Sequence, residues 1–305
     1  GGGGRGPAGG PGAMVEGHGV HRVAAAHRRL LQGKAFAATS PNGRFEAGAR
    51  AIDGAPLQRV EAHGKNLFYF FGGCAAGAAR PPTVVHVHFG MNGRFRQLDW
   101  PAGEPGPNCR LRLESAEHRL AADLSCQTVT HGGPELYAQK AAKLGPDPLR
   151  SDAQPEAVWD KFRASRRPVG AMLMDQSVMA GVGNIYRAEI LYKSRVHPDT
   201  PASAVTRREF DEIWRHSVLL LQRGFETGSI LTVDPADAAA LGEPWTRRYV
   251  YGMEACGRCG GAVRKYTMAG RNVFCCERCQ PLRRQPEPPV SSEVKEKQSG
   301  GAEGG

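Results

Sequence analysis

The sequence predicts an α+β fold in which three kinds of segment follow one another along the chain. A helix with an apolar face comes first, short runs with a two-residue apolar period follow, and helical spacing returns after Pro134. A cysteine-rich stretch comes next. A helix followed by short strands favours a sandwich or a barrel over alternating β-α units. We therefore expect two folded domains and a small cysteine-bound module.

The length of the chain, 305 residues, is enough for two domains of ordinary size. Residues 1–13 contain eight glycines and two prolines, a composition that cannot repay the entropy of ordering. We expect this segment to be disordered or to lie upstream of the functional start. Residues 282–305 are polar and have the composition of a solvated, disordered tail. The residues between these segments can bury two cores, because 40% of the chain is hydrophobic.

The charge balance favours a polyanionic partner, because 40 Lys and Arg residues outnumber 30 Asp and Glu residues and the pI is near 9.4. No apolar run reaches the roughly 18 residues of a membrane span, and no signal peptide is visible. We therefore expect neither secretion nor a membrane partner. Five of the eight cysteines lie between residues 256 and 279, which favours metal binding in a reducing compartment over a disulfide framework.

The N-terminal part predicts one helix and four strands. Apolar residues of Val20–Leu31 repeat with helical spacing, and Gly33 is placed to end that helix. Runs with period two, separated by Gly- and Pro-bearing turns, follow at Asn66–Phe71, Thr83–Phe89, Cys109–Leu113 and Arg119–Leu124. In the second of these runs three apolar side chains share one face: Val85, Val87 and Phe89.

The second half of the chain predicts helices joined by short turns. Lys143–Glu156 is a Pro-rich connector, and MAGVGN is one of the turns beyond it. Helical spacing is found in Ala157–Ser165, Val169–Asp175, Asn184–Arg195 and Arg207–Gly224.

Four cysteines have the spacing of a structural zinc site. Cys256-x2-Cys259 and Cys276-x2-Cys279 are two pairs separated by sixteen residues, and each pair can sit in a tight turn that aims two thiolates at one ion. A redox function is disfavoured because no strand-helix context surrounds either pair. The sequence therefore predicts one structural Zn2+.

The segment between the two cysteine pairs predicts a β-hairpin. YTMAGRNVF alternates and has Gly270 at its centre, which places Arg271 at the hairpin tip. A guanidinium there could grip a phosphate with two hydrogen bonds, although an arginine at a loop tip is more often simply solvated. Cys275 breaks the pair spacing, and we expect its thiol to point away from the metal.

Three segments in this order resemble one enzyme family: MVEGHGVHR, MDQSVMAGVGNIYRAEILY, and CGRCG followed by AGRNVFCCERCQ. They are similar to the formamidopyrimidine-DNA glycosylase/endonuclease VIII family, and more to its endonuclease VIII branch. The resemblance implies an N-terminal two-sheet β-sandwich at 14–134, a linker at 135–155 and a helix-two-turn-helix DNA-binding domain at 156–250. A zinc-finger β-hairpin at 251–281 completes the implied architecture.

The resemblance also implies function. Such proteins are bifunctional DNA glycosylases and abasic-site lyases of base excision repair, which flip the damaged nucleotide into a pocket. We expect a monomer that removes oxidised bases, foremost pyrimidines, from double-stranded DNA, with single-stranded or bubble DNA as the open alternative. The expected location is the cytoplasm of a bacterium or the nucleus of a eukaryote.

The implied nucleophile is the α-amine of Val15, exposed by removal of Met14. An α-amine with a pKa of about 7.7–8 offers far more free base at neutral pH than a lysine near 10.4. The family has proline at this position, and a valine imine must be protonated before it can act as an electron sink. Glu16 matches the family's acid, which protonates the sugar as its ring opens; without the resemblance, a helix-dipole or capping contact would be the simpler interpretation.

The remaining implied site residues contact DNA. Lys65 and Arg271 match the family's lysine and finger-tip arginine, which bind phosphate and assist elimination. Met91 occupies the place from which relatives fill the gap left by the flipped base, and Asn184, in the MAGVGN turn, matches a backbone contact. Taken singly, these residues would be a solvated lysine, a core methionine and a turn asparagine.

Two alternatives remain at this point. The first is a lyase-poor or inactive damaged-DNA-binding protein on the same fold, indicated by Val15 in place of proline and by the segment 1–13, which would block the amine if retained. The second is a zinc-ribbon protein of RNA binding or transcription, which leaves the segment Met14–Arg22 unexplained.

Overall fold

The structure, a computed structural model, describes residues 16–75, 78–90 and 93–282. Four expectations from the sequence fall outside these ranges: the segment 1–13, the tail beyond Leu282, and the residues Val15 and Met91. None of the helices in the described part of the chain combines the length and the apolar character needed to cross a membrane.

The N-terminal half is a sandwich of two four-stranded antiparallel sheets, which decides between the predicted sandwich and barrel. The first sheet has the order β1-β6-β7-β5 and the second β2-β3-β4-β8. The strands of the first are β1 (Ala37–Thr39), β5 (Arg94–Leu98), β6 (Leu111–Ser115) and β7 (Leu120–Ser125). Those of the second are β2 (Leu57–His63), β3 (Asn66–Ala75), β4 (Ala78–His88) and β8 (Thr128–Gly132).

The four strands that the sequence predicts are the central pair of each sheet, and the four that it misses are the edges. Each central strand has a neighbouring strand on both sides, and most side chains of β6 and β7 are buried. Edge strand β5 instead reads RFRQL and has no fully buried residue, so its apolar period is too weak to detect. Val85, Val87 and Phe89 do share the core face, as their alternation predicts.

Helix α1 (Gly17–Leu31) joins the two halves of the molecule. It begins three residues before the predicted start and ends at Leu31, two residues before Gly33, whose φ is +84°. One face, with Val20 and Ala24, is buried in the sandwich core, and the helix packs against β2, β3 and a long helix of the C-terminal half. Two shorter helices, which the sequence did not predict, also pack on the sandwich: α2 (Glu46–Ile52) and α3 (Pro134–Ala141).

The C-terminal half is helical. Its longest helix, α7, begins with a capping box in which Thr206 and Glu209 satisfy each other's backbone N–H groups, and it ends at Gly228 with φ +72°. Helix α6 ends two residues earlier than predicted, before Arg195 at φ +56°. The helices are α4 (Pro155–Arg163), α5 (Val169–Met172), α6 (Asn184–Lys193), the 3-10 turn Ala202–Ala204, α7 (Arg207–Thr227) and α8 (Pro235–Leu241).

The predicted cysteine-rich hairpin is present as β9 (Arg264–Met268) and β10 (Arg271–Cys275). Ala269 and Gly270 form its two-residue turn with φ of +49° and +72°, the signs of a type I′ turn, in which glycine is strongly preferred. Met268 therefore pairs with Arg271 at the tip. The α+β class with its sandwich, helical domain and hairpin is confirmed.

A buried carboxylate ties the helical half to the segment that leads into the hairpin. Glu189 lies on α6 and is fully buried. Its two oxygens accept hydrogen bonds from the backbone N–H groups of Tyr249, Val250 and Tyr251 at 2.8–2.9 Å and from the hydroxyl of Thr232 at 2.6 Å. These N–H groups lie in a bend and turn, outside any helix or strand, and without Glu189 they would lack partners. This one side chain therefore fixes the path of the chain into the hairpin.

Replacing Glu189 with alanine should therefore destabilise the protein strongly. Three backbone donors would lose their acceptors, and we expect a loss of about 3–5 kcal/mol in the free energy of unfolding. Urea unfolding of Glu189→Ala, with the exposed Glu226→Ala on α7 as control, measures this. A loss below about 1 kcal/mol in Glu189→Ala would show that the segment holds its path without this carboxylate.

Candidate active site

The centre of the candidate site is the carboxyl group of Glu16. Glu16 is only 1% exposed, although it is the residue immediately before α1. The side chain makes no capping hydrogen bond to α1, so the capping interpretation is wrong. Instead Oε1 accepts a hydrogen bond of 3.4 Å from the backbone N–H of Ile185 in the first turn of α6. The carboxyl group therefore spans from the sandwich half to the helical half.

A glycine makes room for this carboxyl group. A Cβ atom on Gly183 would lie 1.6 Å from Oε2 of Glu16 and 2.2 Å from its carboxyl carbon, so the carboxyl group could not keep its position. The glycines of the MAGVGN turn thus have a steric function beyond forming a turn. Gly181 adopts φ +97°, a conformation that residues with a Cβ rarely adopt.

The MAGVGN turn is packed backbone to backbone against the sandwich half. Gly17 donates its N–H to the carbonyl of Gly181 at 2.9 Å, and a Cβ on Gly17 would meet the Cα of Gly181 at 2.6 Å. Gly64 approaches from the β2-β3 turn, and its Cβ would lie 2.9 Å from the backbone nitrogen of Gly181. Two glycines on separate elements therefore allow both to approach the same turn closely.

The side chain of Gln176 holds the turn from the other side. Its Oε1 accepts from the N–H of Gly181 at 2.9 Å, and its Nε2 donates to the carbonyl of Val182 at 3.0 Å. The turn is thus fixed by a side chain in the same domain, so the position of Gly183 against Glu16 is set before any ligand arrives.

Asp147 is a second junction between the halves. Its carboxylate accepts from the N–H of Gly64 at 2.6 Å and from that of Leu149 at 2.9 Å, and it contacts Nε2 of His21 on α1 at 2.7 Å. Burial by itself would raise the pKa of Asp147, but the hydrogen bonds from these groups and the nearby His21 hold it below its ordinary value. The carboxylate stays charged and fixes the residue just before Lys65.

The electrostatic setting of Glu16 suits a proton donor at neutral pH. Burial raises its pKa from 4.5 to about 7, against the opposing effects of Lys65, the Ile185 N–H, Arg248 and Arg271. Oε2 is buried without a hydrogen-bond partner among the described residues. A carboxyl group in this state is half protonated near neutrality and keeps an oxygen available for a substrate.

Three cations stand around this carboxyl group. Lys65 is half-buried at the start of β3, and burial lowers the pKa of its amine, with Arg271 acting in the same direction and Glu16 against it. The structure therefore does not support a fully solvated Lys65. Arg271 lies exposed at the tip of the hairpin. Arg248, in the segment before the hairpin, was not singled out from the sequence.

Asn184 connects the start of α6 with the hairpin. It is 4% exposed; its Nδ2 donates to the carbonyl of Asn272 at 3.0 Å, and its Oδ1 accepts from the guanidinium of Arg187. Arg187 is fully buried and also donates to the Asn272 carbonyl, at 3.1 Å. Burial lowers the pKa of Arg187 to about 10. The side-chain amide of Asn184 thus holds Asn272, the residue next to Arg271. The sequence did not reveal this contact.

A local signal for Arg187 was present. It lies in NIYRAEILY, where all the other residues of α6 from Asn184 to Tyr192 are also buried. A charged side chain within a helix that is apolar nearly all round predicts a buried, partnered group. No comparable signal exists for Gln176 or Asp147, because their partners are distant in sequence or are backbone atoms.

The four spaced cysteines come together behind the hairpin. The sulfur atoms of Cys256, Cys259, Cys276 and Cys279 all lie within 4.8 Å of one another. Two of the separations are 3.8 Å and 3.4 Å. Four thiolates bound to one zinc ion at about 2.3 Å would stand about 3.8 Å apart, so the donor set and its size fit a tetrahedral site.

Cys275 is directed elsewhere. Its sulfur lies 3.7 Å from Nε2 of His197 and is buried on the other side of β10 from its neighbour Cys276. Behind the cluster, the hydroxyl of Tyr192 on α6 contacts the sulfur of Cys256 at 3.1 Å. The cysteine cluster is thus anchored to the same helix that carries Asn184 at its start.

Two family models match the chain. Residues 14–125 match the formamidopyrimidine-DNA glycosylase N-terminal domain, and residues 144–234 match the formamidopyrimidine-DNA glycosylase H2TH domain. Endonuclease 8 1 of Mycobacterium tuberculosis and of Mycobacterium bovis is 40% identical over 278 residues, which cover 88% of this chain and all of the relative. The chain belongs to the formamidopyrimidine-DNA glycosylase/endonuclease VIII family.

Members of this family are DNA glycosylases with abasic-site lyase activity. A formamidopyrimidine-DNA glycosylase of a Parafrankia species is 30% identical, with 87% of this chain and 90% of the relative covered. A structure of Lactococcus lactis Fpg in complex with DNA that contains an abasic site superposes with a TM-score of 0.72 at 22% identity, covering 88% of this chain and all of that one. At this identity the likeness shows the fold.

The cysteine cluster leads to a direct test. Replacing Cys276 with serine should reduce bound metal from one equivalent per chain to nearly none, because it removes one of four thiolates. Cys275→Ser, at the neighbouring buried position, is the matched control and should keep one equivalent. Elemental mass spectrometry of the purified proteins measures both, and equal metal content in the two variants would contradict the assignment of ligands.

Proposed function

We propose that this protein is a bifunctional DNA glycosylase and abasic-site lyase that removes oxidised bases, foremost pyrimidines, by Schiff-base chemistry with β,δ-elimination. The observation that carries the proposal is the buried carboxyl group of Glu16, with its pKa raised to about 7 and three cations around it. It lies directly after Val15, the residue whose amine would attack. A surface carboxylate near its ordinary pKa would not suit this role.

The first step would be attack by the α-amine of Val15 on the anomeric carbon of the damaged nucleotide. The base leaves with the electron pair of the glycosidic bond and takes up the proton that the attacking amine loses, and the protonated carboxyl group of Glu16 gives its proton to the sugar oxygen as the ring opens. A protonated imine then links the sugar to Val15. A pKa of about 7 keeps enough of Glu16 protonated to act while a large fraction of the amine is free.

Elimination would follow from the same imine. Loss of a proton from the carbon next to the imine releases the 3′ phosphate, and a second elimination releases the 5′ phosphate. Lys65 and Arg271 would bind the leaving phosphates, which carry negative charge throughout. Asn184 contributes by holding Asn272 and so the position of Arg271, and its start-of-helix backbone is a further candidate for a phosphate contact.

Zinc is the metal that the four thiolates would hold. Its function would be structural, because a site made of four cysteine thiolates is closed and leaves no position for a substrate. It would fix the hairpin whose tip presents Arg271. Preference for oxidised pyrimidines is supported by the identity of 40% to endonuclease 8 1 along that relative's whole length. Double-stranded DNA is the proposed substrate, with single-stranded or bubble DNA as the alternative.

A lyase-poor protein that binds damaged DNA is the second candidate function. One observation favours it: Val15 replaces the family proline, so the imine needs an extra proton before it can withdraw electrons. The zinc-ribbon RNA-binding alternative is set aside, because the two family models together match most of the chain between residues 14 and 234.

Trapping with borohydride tests the nucleophile. A chain that begins at Val15 should form a covalent adduct with DNA containing an abasic site when borohydride reduces the imine. A matched chain that retains Met14 with a blocked amine should form none, because its Val15 nitrogen is an amide. Adducts of equal yield in both would contradict the role of Val15 and point to a lysine such as Lys65.

The pH dependence of the glycosylase step tests Glu16. The reaction needs Glu16 protonated and the amine free, so the rate rises with pH as the amine loses its proton and falls as Glu16 loses its own. With the pKa of Glu16 at about 7 and that of the amine at about 8, the single-turnover rate should peak at about pH 7.5.

If Glu16 had the ordinary pKa of a glutamate, the rate would peak at about pH 6. A peak there would contradict the raised pKa. Glu16→Gln, which has no proton to give, should lose at least about a hundredfold in rate while still binding DNA with an abasic site.

A further inference from the structure

Arg248 lies in a segment that the fold holds rigidly. The carbonyl of the preceding residue, Arg247, accepts from the N–H of Thr232 at 2.9 Å and from its hydroxyl at 3.1 Å. The three residues that follow are bound by their N–H groups to Glu189. The backbone of Arg248 is thus fixed on both sides, and its side chain is presented from a set position.

The guanidinium of Arg248 is half-buried but poorly satisfied. Its central carbon lies 5.4 Å from the ring centroid of Tyr251, whose ring packs against Phe274 in the hairpin at 4.7 Å. The Nε atom is buried and has no hydrogen-bond partner, and no ion pair joins Arg248 to an acidic group within the described ranges. A half-buried guanidinium without an anion is costly, which favours a site that an anion completes.

The surroundings define the charge of that anion. The positive charges of Lys65, Arg248 and Arg271 each lower the pKa of Glu16, so all three act on one buried carboxyl group that is itself half neutral near pH 7. Such a site carries an excess of positive charge, and its natural complement is a phosphate, whose oxygens match the planar fork of an arginine.

We propose that Arg248 is a further phosphate-binding residue, which contacts the DNA backbone beside the damaged nucleotide together with Lys65 and Arg271. This inference rests on the proposed function, since it takes DNA to be the ligand of the same site. In the complex, the guanidinium gains the acceptors that it lacks in the structure. With Glu16 ionised, Lys65 and Arg271 leave the cluster one net positive charge, and Arg248 adds a second, which strengthens backbone binding across the neutral range.

The test compares neighbouring arginines. Arg248→Gln and Arg247→Gln each remove one positive charge, but Arg247 is exposed and only its backbone carbonyl is used by the fold. The probe is a duplex with a tetrahydrofuran abasic-site analogue, whose affinity is measured by fluorescence anisotropy from low to moderate salt. Arg248→Lys keeps the charge without the fork, and thermal unfolding of each variant reports whether it is folded.

We expect Arg248→Gln to bind the probe about tenfold more weakly and to make the slope of log K against log salt less negative by about 0.9. Arg248→Lys should restore the slope and part of the affinity, whereas Arg247→Gln should match the wild type within about twofold. A slope that is the same in Arg248→Gln and Arg247→Gln would overturn the assignment. An Arg248→Gln effect on affinity with an unchanged slope would also overturn it, because that result indicates a structural role.

Failure of the inference is distinguishable from failure of the proposed function. If wild-type protein that begins at Val15 forms no borohydride adduct and releases no oxidised base, the proposed function fails whatever the anisotropy shows. If wild-type protein is active and all three variants bind and react like it, the function stands and the role of Arg248 is refuted.

Discussion

The contact between Glu16 and the glycine turn of the helical half is the constraint on which the rest of the structure depends. Glu16 can be buried in this position because Gly183 has no side chain; a Cβ there would lie 1.6 Å from Oε2. Burial in turn raises the pKa of the carboxyl group to about 7. A steric property of one backbone position therefore determines the protonation of a side chain 167 positions earlier in the chain.

The other contacts between parts of the molecule serve to keep this geometry. Asp147 binds the turn that carries Gly64 and contacts α1, so that Lys65 and Glu16 are positioned by one carboxylate. Glu189 fixes the segment that carries Arg248 and leads to the hairpin. Asn184, at the start of the same helix, reaches the hairpin beside Arg271. Glu189 and Asn184 both lie on helix α6. This helix therefore holds in place Arg248 and Arg271, the two cations of the C-terminal half that act on Glu16.

The sequence predicted what local patterns can encode. The spacing of Cys256, Cys259, Cys276 and Cys279, the alternation of the central strands and the glycine of the hairpin turn each depend on neighbours in the chain. The edge strands were not predicted because about half of their side chains face solvent, as in β5, which weakens their apolar period. Glu16 and Lys65 were reached through a resemblance to a family rather than through any local signal, whereas Arg271 was also marked by its position at the tip of the predicted hairpin.

What sequence reasoning could not reach depends on contacts across the fold. His21 and Asp147 are 126 residues apart, and the partners of Glu189 are backbone N–H groups, which every residue but proline carries. Arg248 looks like any arginine in a polar stretch until the fold brings its charge near enough to act on Glu16 and buries its Nε atom. No pattern of residue types marks such a position, because it is defined by distance in space and by burial.

The pKa of Glu16 is the quantity that tests this account most directly. It can be measured by carbon-13 NMR titration of protein labelled at the glutamate carboxyl carbons, with Glu16→Gln used to assign the resonance. The account predicts a midpoint of about 7. A midpoint near the ordinary value of 4.5 would contradict it, because the carboxyl group would then be ionised at neutral pH and unable to donate a proton.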